Sequence, residues 1–142
     1  MSGVNAALLV LHFLGLAMGL SVSIGSVAML GVMSASPAAD RPVLARFMPA
    51  ISRVGRIGLV LLWVTGATML YTKWSGFAAM PWQFHVKITA VILLTITVAY
   101  IYTLEQKVKK GNAAAAAAIQ QAGKVALTCA LLAVIFAVLT FE

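Results

Sequence analysis

Four long apolar runs, at about 4–33, 54–72, 82–103 and 122–141, leave this chain few ways to fold. Each is near or above the roughly 20 residues that cross the hydrocarbon core of a bilayer. Backbone amides at that depth have no water to bond, so each run must satisfy its own, as a helix does. We expect an all-α, integral membrane four-helix bundle, a single domain over residues 1–142. The chain is 63% hydrophobic and 9% charged, whereas a soluble domain has roughly half and about a quarter. Its length leaves no room for a separate soluble domain.

The net charge of +7 is explained by the membrane rather than by a polyanion. The basic residues stand at the ends of apolar runs instead of forming a stripe beside aromatic residues, which argues against nucleic acid. Arg41, Arg46, Arg53 and Arg56, against Asp40, mark the first connection; Lys107, Lys109, Lys110 and Lys124, against Glu105, mark the third. The opposite side has Lys73 and Lys87 against Glu142. The positive-inside rule then puts both termini and the second connection outside the cytoplasm, in a multi-pass protein of the bacterial inner membrane. Arg53 and Arg56, three apart, are expected to signal topology and to meet lipid phosphate. The start of the chain lacks a basic n-region, and the run after it is too long for a cleaved signal, so it is expected to remain as the first span. Cys129 is alone, which excludes an intramolecular disulfide and a four-cysteine metal site, and its setting is that of a small buried hydrophobe.

The connections carry turn and cap signals. Ser34 to Pro42 is turn-forming, and Val43 to Ser52 is expected to be a short surface helix interrupted by Pro49. Tyr71-Thr72-Lys73-Trp74 looks like an interfacial belt, Ser75 to Pro81 a short loop, and Gly111-Asn112 a helix stop. The six alanines from Ala113 to Ala118 are strong helix formers and should begin the helix of the fourth span.

Candidate chemistry lies in Trp82-Gln83-Phe84-His85-Val86-Lys87, which holds a histidine and a lysine at the mouth of the third span. Ionisable groups at membrane depth are costly and are functional candidates by default. The other histidine, His12, heads an arc of small residues in the first span: Gly15, Gly19, Ser23 and Ser26, at about 100° per residue. Such a stripe admits a neighbouring helix or a flat ligand. A second stripe, Gly55, Gly58 and Gly66 with Leu62 and Met69, runs along the second span. Both imidazoles are expected at similar depth, on spans one and three, facing each other across the bundle.

Two histidines without cysteine or a nearby carboxylate make a poor zinc site. They make a complete axial set for b-type haem, whose iron already has four porphyrin nitrogens. Without Cys-x-x-Cys-His, covalent attachment is excluded. His12 and His85 are therefore candidate iron ligands, and Gly15 and Gly19 candidate walls. Lys87 points away from His85 and either pairs with a haem propionate or reaches the surface. The bland alternative makes both histidines interior residues bonded to carbonyls or hydroxyls such as Thr89. Asp40, Glu105 and Glu142 all look peripheral, and no nucleophile or phosphate loop stands out.

The Trp-then-His-x-Lys stretch resembles the opening of the third helix of the HemJ-type bacterial protoporphyrinogen oxidases. Leu11-His12 with its small-residue run is similar to the family's first-helix histidine segment. Arg46-Phe47-Met48-Pro49 through Gly66-Ala67-Thr68-Met69-Leu70 looks like its second-helix region. The likeness covers about the first two-thirds of the chain. It implies a four- or five-helix haem-b bundle with His12 and His85 as ligands and Lys87 as a functional lysine. The family's aromatic, proline- and arginine-bearing end to the first helix is absent; Ser21 to Met33 is small and apolar. The leading expectation is a b-type haem protein with an electron-transfer role, partnered by a quinone, a protein or a small oxidant. Alternatives are a protoporphyrinogen oxidase of that kind and a cofactor-free accessory subunit. The glycine stripes also allow a homodimer with a histidine ligating across the interface.

Overall fold

A computed structural model describes residues 3–74, 80–112 and 114–141. The described chain is all helical: α1 (Gly3–Ala35), the short α2 (Arg41–Ala45), α3 (Met48–Trp74), α4 (Trp82–Lys109) and α5 (Ala114–Phe141). Four of these are long and apolar enough to cross a membrane, and together they form a four-helix, multi-pass membrane bundle. At 1.5 Å per residue α4 is about 42 Å long. The helices run past the apolar segments at both ends, because polar termini continue the same hydrogen-bond ladder into the interface. Most of Ser75 to Pro81, the side chains of Lys73 and Trp74, and Ala113 and Glu142 lie outside the described residues.

Local chemistry accounts for the breaks. At the end of α1, Ser34 and Ser36 bond back to the Gly31 and Val32 carbonyls, and Arg41 reaches the carbonyls of Ser36 (3.2 Å) and Ser34 (3.5 Å). A cation on the last carbonyls of a helix suits their partial negative charge. The expected surface helix over Val43 to Ser52 is corrected: the chain breaks at Arg46–Phe47 instead, and Pro49 stands in the first turn of α3, where no intrahelical N–H is needed. The stop at Gly111 is as expected. Its φ is +91°, and Gly111 N–H and Asn112 N–H donate to the carbonyls of Val108 (2.9 Å) and Lys107 (3.1 Å), the paired bonds that close a helix C-terminus.

Thr65, Thr68, Thr72, Thr89, Thr95, Thr97, Thr128 and Thr140 each donate to the carbonyl four residues back. A hydroxyl satisfied this way can sit in an apolar helix without needing water. The bundle is inverted relative to a soluble one. Phe13, Val60, Ile96 and Val138 are more than half exposed, whereas the buried residues of α5 are Ala115, Ala122, Ala126, Cys129, Ala130 and Ala133. Lipid accepts large apolar side chains, and small ones let helices approach.

The helices pair as two antiparallel hairpins, α1 with α3 and α4 with α5; α1 also meets α5, but α3 and α4 barely touch. The spacing 115, 122, 126, 129, 133 draws an alanine-lined seam on α5, whose main neighbour is α4. The α1–α3 crossing is set by glycine. A Cβ on Gly15 would lie 2.9 Å from the Gly58 carbonyl oxygen, and one on Gly58 would lie 2.9 Å from that of Gly15. Only residues without a Cβ permit this approach.

Gly58→Ala is therefore expected to lower the melting temperature of the detergent-solubilised protein, by overpacking worth about 1–3 kcal/mol. Gly25→Ala, where a Cβ meets nothing within 4 Å, should leave it unchanged or raise it, because alanine is the better helix former. A Gly58→Ala protein as stable as Gly25→Ala would show that this crossing does not set the hairpin.

Candidate functional site

Since the hairpins are joined along one side only, a cleft runs between them. It is a cavity of about 1020 Å³ lined by all four long helices. Its walls are apolar through the middle, with residues such as Leu20, Leu59, Leu94 and Val98, and polar groups gather at its ends. One end holds His12 and Lys87; the other holds Arg56, Glu105 and Lys124.

At the histidine end, the imidazole of His12 lies over Gly66, where a Cβ would come 3.3 Å from the ring. His12 Nδ1 is 2.8 Å from Thr65 Oγ1, and Thr65 is 2% exposed. The Thr65 hydroxyl has one proton, and it donates that to the Leu61 carbonyl at 2.6 Å. The oxygen must then accept from His12 Nδ1–H, which leaves the lone pair on Nε2. No described residue hydrogen-bonds Nε2. This is how a protein orients a metal-binding histidine, by fixing one ring nitrogen and presenting the other.

Lys87 lines the same cavity, with its ammonium 5.9 Å from the centre of the Phe84 ring. Leu70, Met80 and Phe84, with Ile88 against them, close the cleft beyond these groups. Met69 and Met80 bring thioether sulfurs to the same end.

His85 is placed differently from the expectation that the two histidines face each other. It is exposed, outside the cavity lining, with its ring edge-on to Phe84 at 6.4 Å. The face α4 turns to the cleft is Phe84, Lys87, Ile88, Val91, Leu94, Val98, Ile101 and Glu105. His85 is about 200° around the helix from Lys87, so a helix that presents the lysine to the cleft turns the histidine outward. The two glycines also part company. Gly19 lines the cavity, whereas Gly15 is buried against α3 at Gly58. Gly15 belongs to helix packing rather than to the cavity wall.

The opposite end corrects the expectation that every carboxylate is peripheral. The Glu105 side chain is only 14% exposed and accepts from Arg56 Nη1 at 3.1 Å. The same nitrogen donates to Ser52 Oγ at 2.8 Å, and the guanidinium stands 5.1 Å from the centre of the Tyr102 ring. Asp40 is exposed, as expected. The overlooked signal was spacing: Lys87 and Glu105 are 18 residues apart, about five whole turns, and so share one line along α4. Midway, Trp63 Nε1–H donates to Thr95 Oγ1 at 2.9 Å, a second polar link between α3 and α4. Thr65 was also missed, although it stands seven residues from Gly58 on the α3 stripe.

Among the described residues no group of three or more His, Cys, Asp and Glu side chains could hold a metal ion. Of the two histidines, His12 alone lines the cleft.

Arg56→Gln and Glu105→Gln should each destabilise the bundle, and the double variant should cost less than their sum, with a coupling of about 0.5–3 kcal/mol. Thermal unfolding of the four proteins in detergent measures it; strict additivity would show that the ion pair does not join the hairpins. Comparison of the chain with protein-family models, with curated proteins and with solved structures finds no match.

Proposed function

We propose that the protein binds b-type haem at the histidine end of the cleft, with His12 Nε2 as the protein ligand, and that its role is redox. The observation that carries this reading is the His12–Thr65–Leu61 chain, which fixes a ring that lines the cavity and leaves its Nε2 without a described partner. The cavity is large enough for a macrocycle, since ligand pockets generally span roughly 300–1,000 Å³. Gly19 and Gly66 keep its walls low, and Lys87 lines the same end. Haem supplies one-electron chemistry when bound. The chain's own residues hold it, exclude water and set the polarity around it.

His85 has no part in that ligation within one chain. A second ligand would come from a thioether, from a small molecule, or from His85 of another copy. The basic residues at the Arg56 end favour an orientation with that end in the cytoplasm, in a bacterial inner membrane. The histidine end then lies toward the outer face, within reach of a quinone, a partner protein or a small oxidant.

A second reading, an oxidase acting on a porphyrinogen, is favoured by one observation: the residue sharing the cavity with His12 is Lys87. A lysine beside a redox group can hold a substrate carboxylate or move a proton. Porphyrinogen accumulation in a deletion strain, reversed by the wild-type gene but not by Lys87→Met, would support that reading over simple electron transfer.

Absorption spectra of the detergent-purified protein, oxidised and dithionite-reduced, test the haem proposal. His12→Ala should lose the haem bands and His85→Ala should keep them. Thr65→Val should weaken haem retention by about 10–100-fold, as loss of an orienting partner does. A wild type that stays colourless after hemin addition, or a His12→Ala spectrum equal to the wild type, would overturn it.

A further inference from the structure

The Arg56 end of the cleft is independent of the histidine chemistry and has the features of an amphiphile site. Arg56 spends Nη1 on Ser52 and Glu105. A guanidinium has five N–H donors, and the three on Nε and Nη2 have no hydrogen-bond partner among the described residues. Lys124, exposed on α5, lines the same cavity. Next to this mouth is a recess of about 270 Å³ lined by Arg41, Ser34 and Gln120. Ser34 and Gln120 line both spaces, so the two adjoin. Arg56, Lys124 and one carboxylate, Glu105, thus line this end of the corridor, and Arg41 lines the recess beside it.

We propose that this end of the cleft binds an anionic glycerophospholipid, its phosphodiester on the Nε/Nη2 edge of Arg56 and near Lys124, its head in the Arg41 recess, and an acyl chain along the corridor. The charge excess selects the headgroup, and a planar fork of donors matches phosphate geometry. The corridor selects the chain. From Glu105 to the Trp63–Thr95 link is ten residues of α4, about 15 Å, half of a hydrocarbon core about 30 Å thick. An acyl chain of one leaflet therefore fills this half and leaves the His12 half open. An annular lipid held by surface charge alone would use the exposed lysines of the α4 C-terminus equally well.

Native mass spectrometry of the full chain released from mixed phosphatidylglycerol and phosphatidylcholine bilayers with identical acyl chains tests this. One phosphatidylglycerol per chain should be retained in preference to phosphatidylcholine by about tenfold, the scale of one charge-assisted hydrogen bond. Arg56→Lys, which keeps the charge and loses the fork, should weaken retention of the lipid itself, and Lys124→Gln, a change at an exposed side chain, should reduce that preference. Lys107→Gln and Lys109→Gln should not. Equal retention of the two lipids would overturn the proposal. So would a loss of preference in Lys107→Gln as large as that in Lys124→Gln, or a lipid-free dimer with a second copy in the cleft.

Discussion

The contact of Gly15 with Gly58 is the constraint from which the rest of the molecule follows. It draws α1 and α3 together until backbone meets backbone, whereas α3 and α4 meet only sparsely. Alanine does the same for α4 and α5. With each hairpin closed by small residues, the bulkier apolar side chains are left to face lipid or to line the space between hairpins. In water such a bundle would collapse across that space to remove apolar surface. In a bilayer the driving force is weak, because lipid tails solvate leucine as well as another leucine does. The cleft is therefore a product of where the small residues lie.

His12 owes its chemistry to the same contact. Close approach of α1 to α3 puts the ring over Gly66 and brings Nδ1 to a hydroxyl whose proton is already committed to Leu61. A serine or threonine facing outward would give no such direction. The orienting group is nearly fully buried, so the ring's tautomer is dictated by a hydrogen bond that water does not compete for. Lys87 lines the same end from the other hairpin, so the two polar residues at this end depend on different helix pairs for their positions.

The number and nature of the spans were legible in the sequence, because twenty-odd apolar residues in succession allow one backbone solution in lipid. Gly111 was legible too, since a positive φ follows from a glycine at a helix end. The facing of His85 was not. A helix that is apolar all round has no polar face to set its rotation, so the order of Phe84, His85 and Lys87 could not say which of them turns inward. The answer lay in a relation over a longer distance, the lysine and the glutamate 18 residues apart on one line. Glu105 itself looked peripheral because it follows the apolar run; its burial depends on Arg56 reaching in from α3. Span boundaries shifted outward for a similar reason, as helices continue wherever their ladder and caps allow.

The weak apposition of α3 and α4 leaves the cleft a side between the hairpins, along the spans that cross the bilayer. Across that side lie two bars, Trp63 to Thr95 and Arg56 to Glu105. Anything that enters or leaves by that side travels in the plane of the membrane and parts these bonds where little water replaces them. Exchange by that side is then governed by two-dimensional diffusion and a gating step, added to the bound molecule's own contacts. Whatever fills the cleft should behave as a resident part of the protein through purification, trading places slowly with the lipid around it.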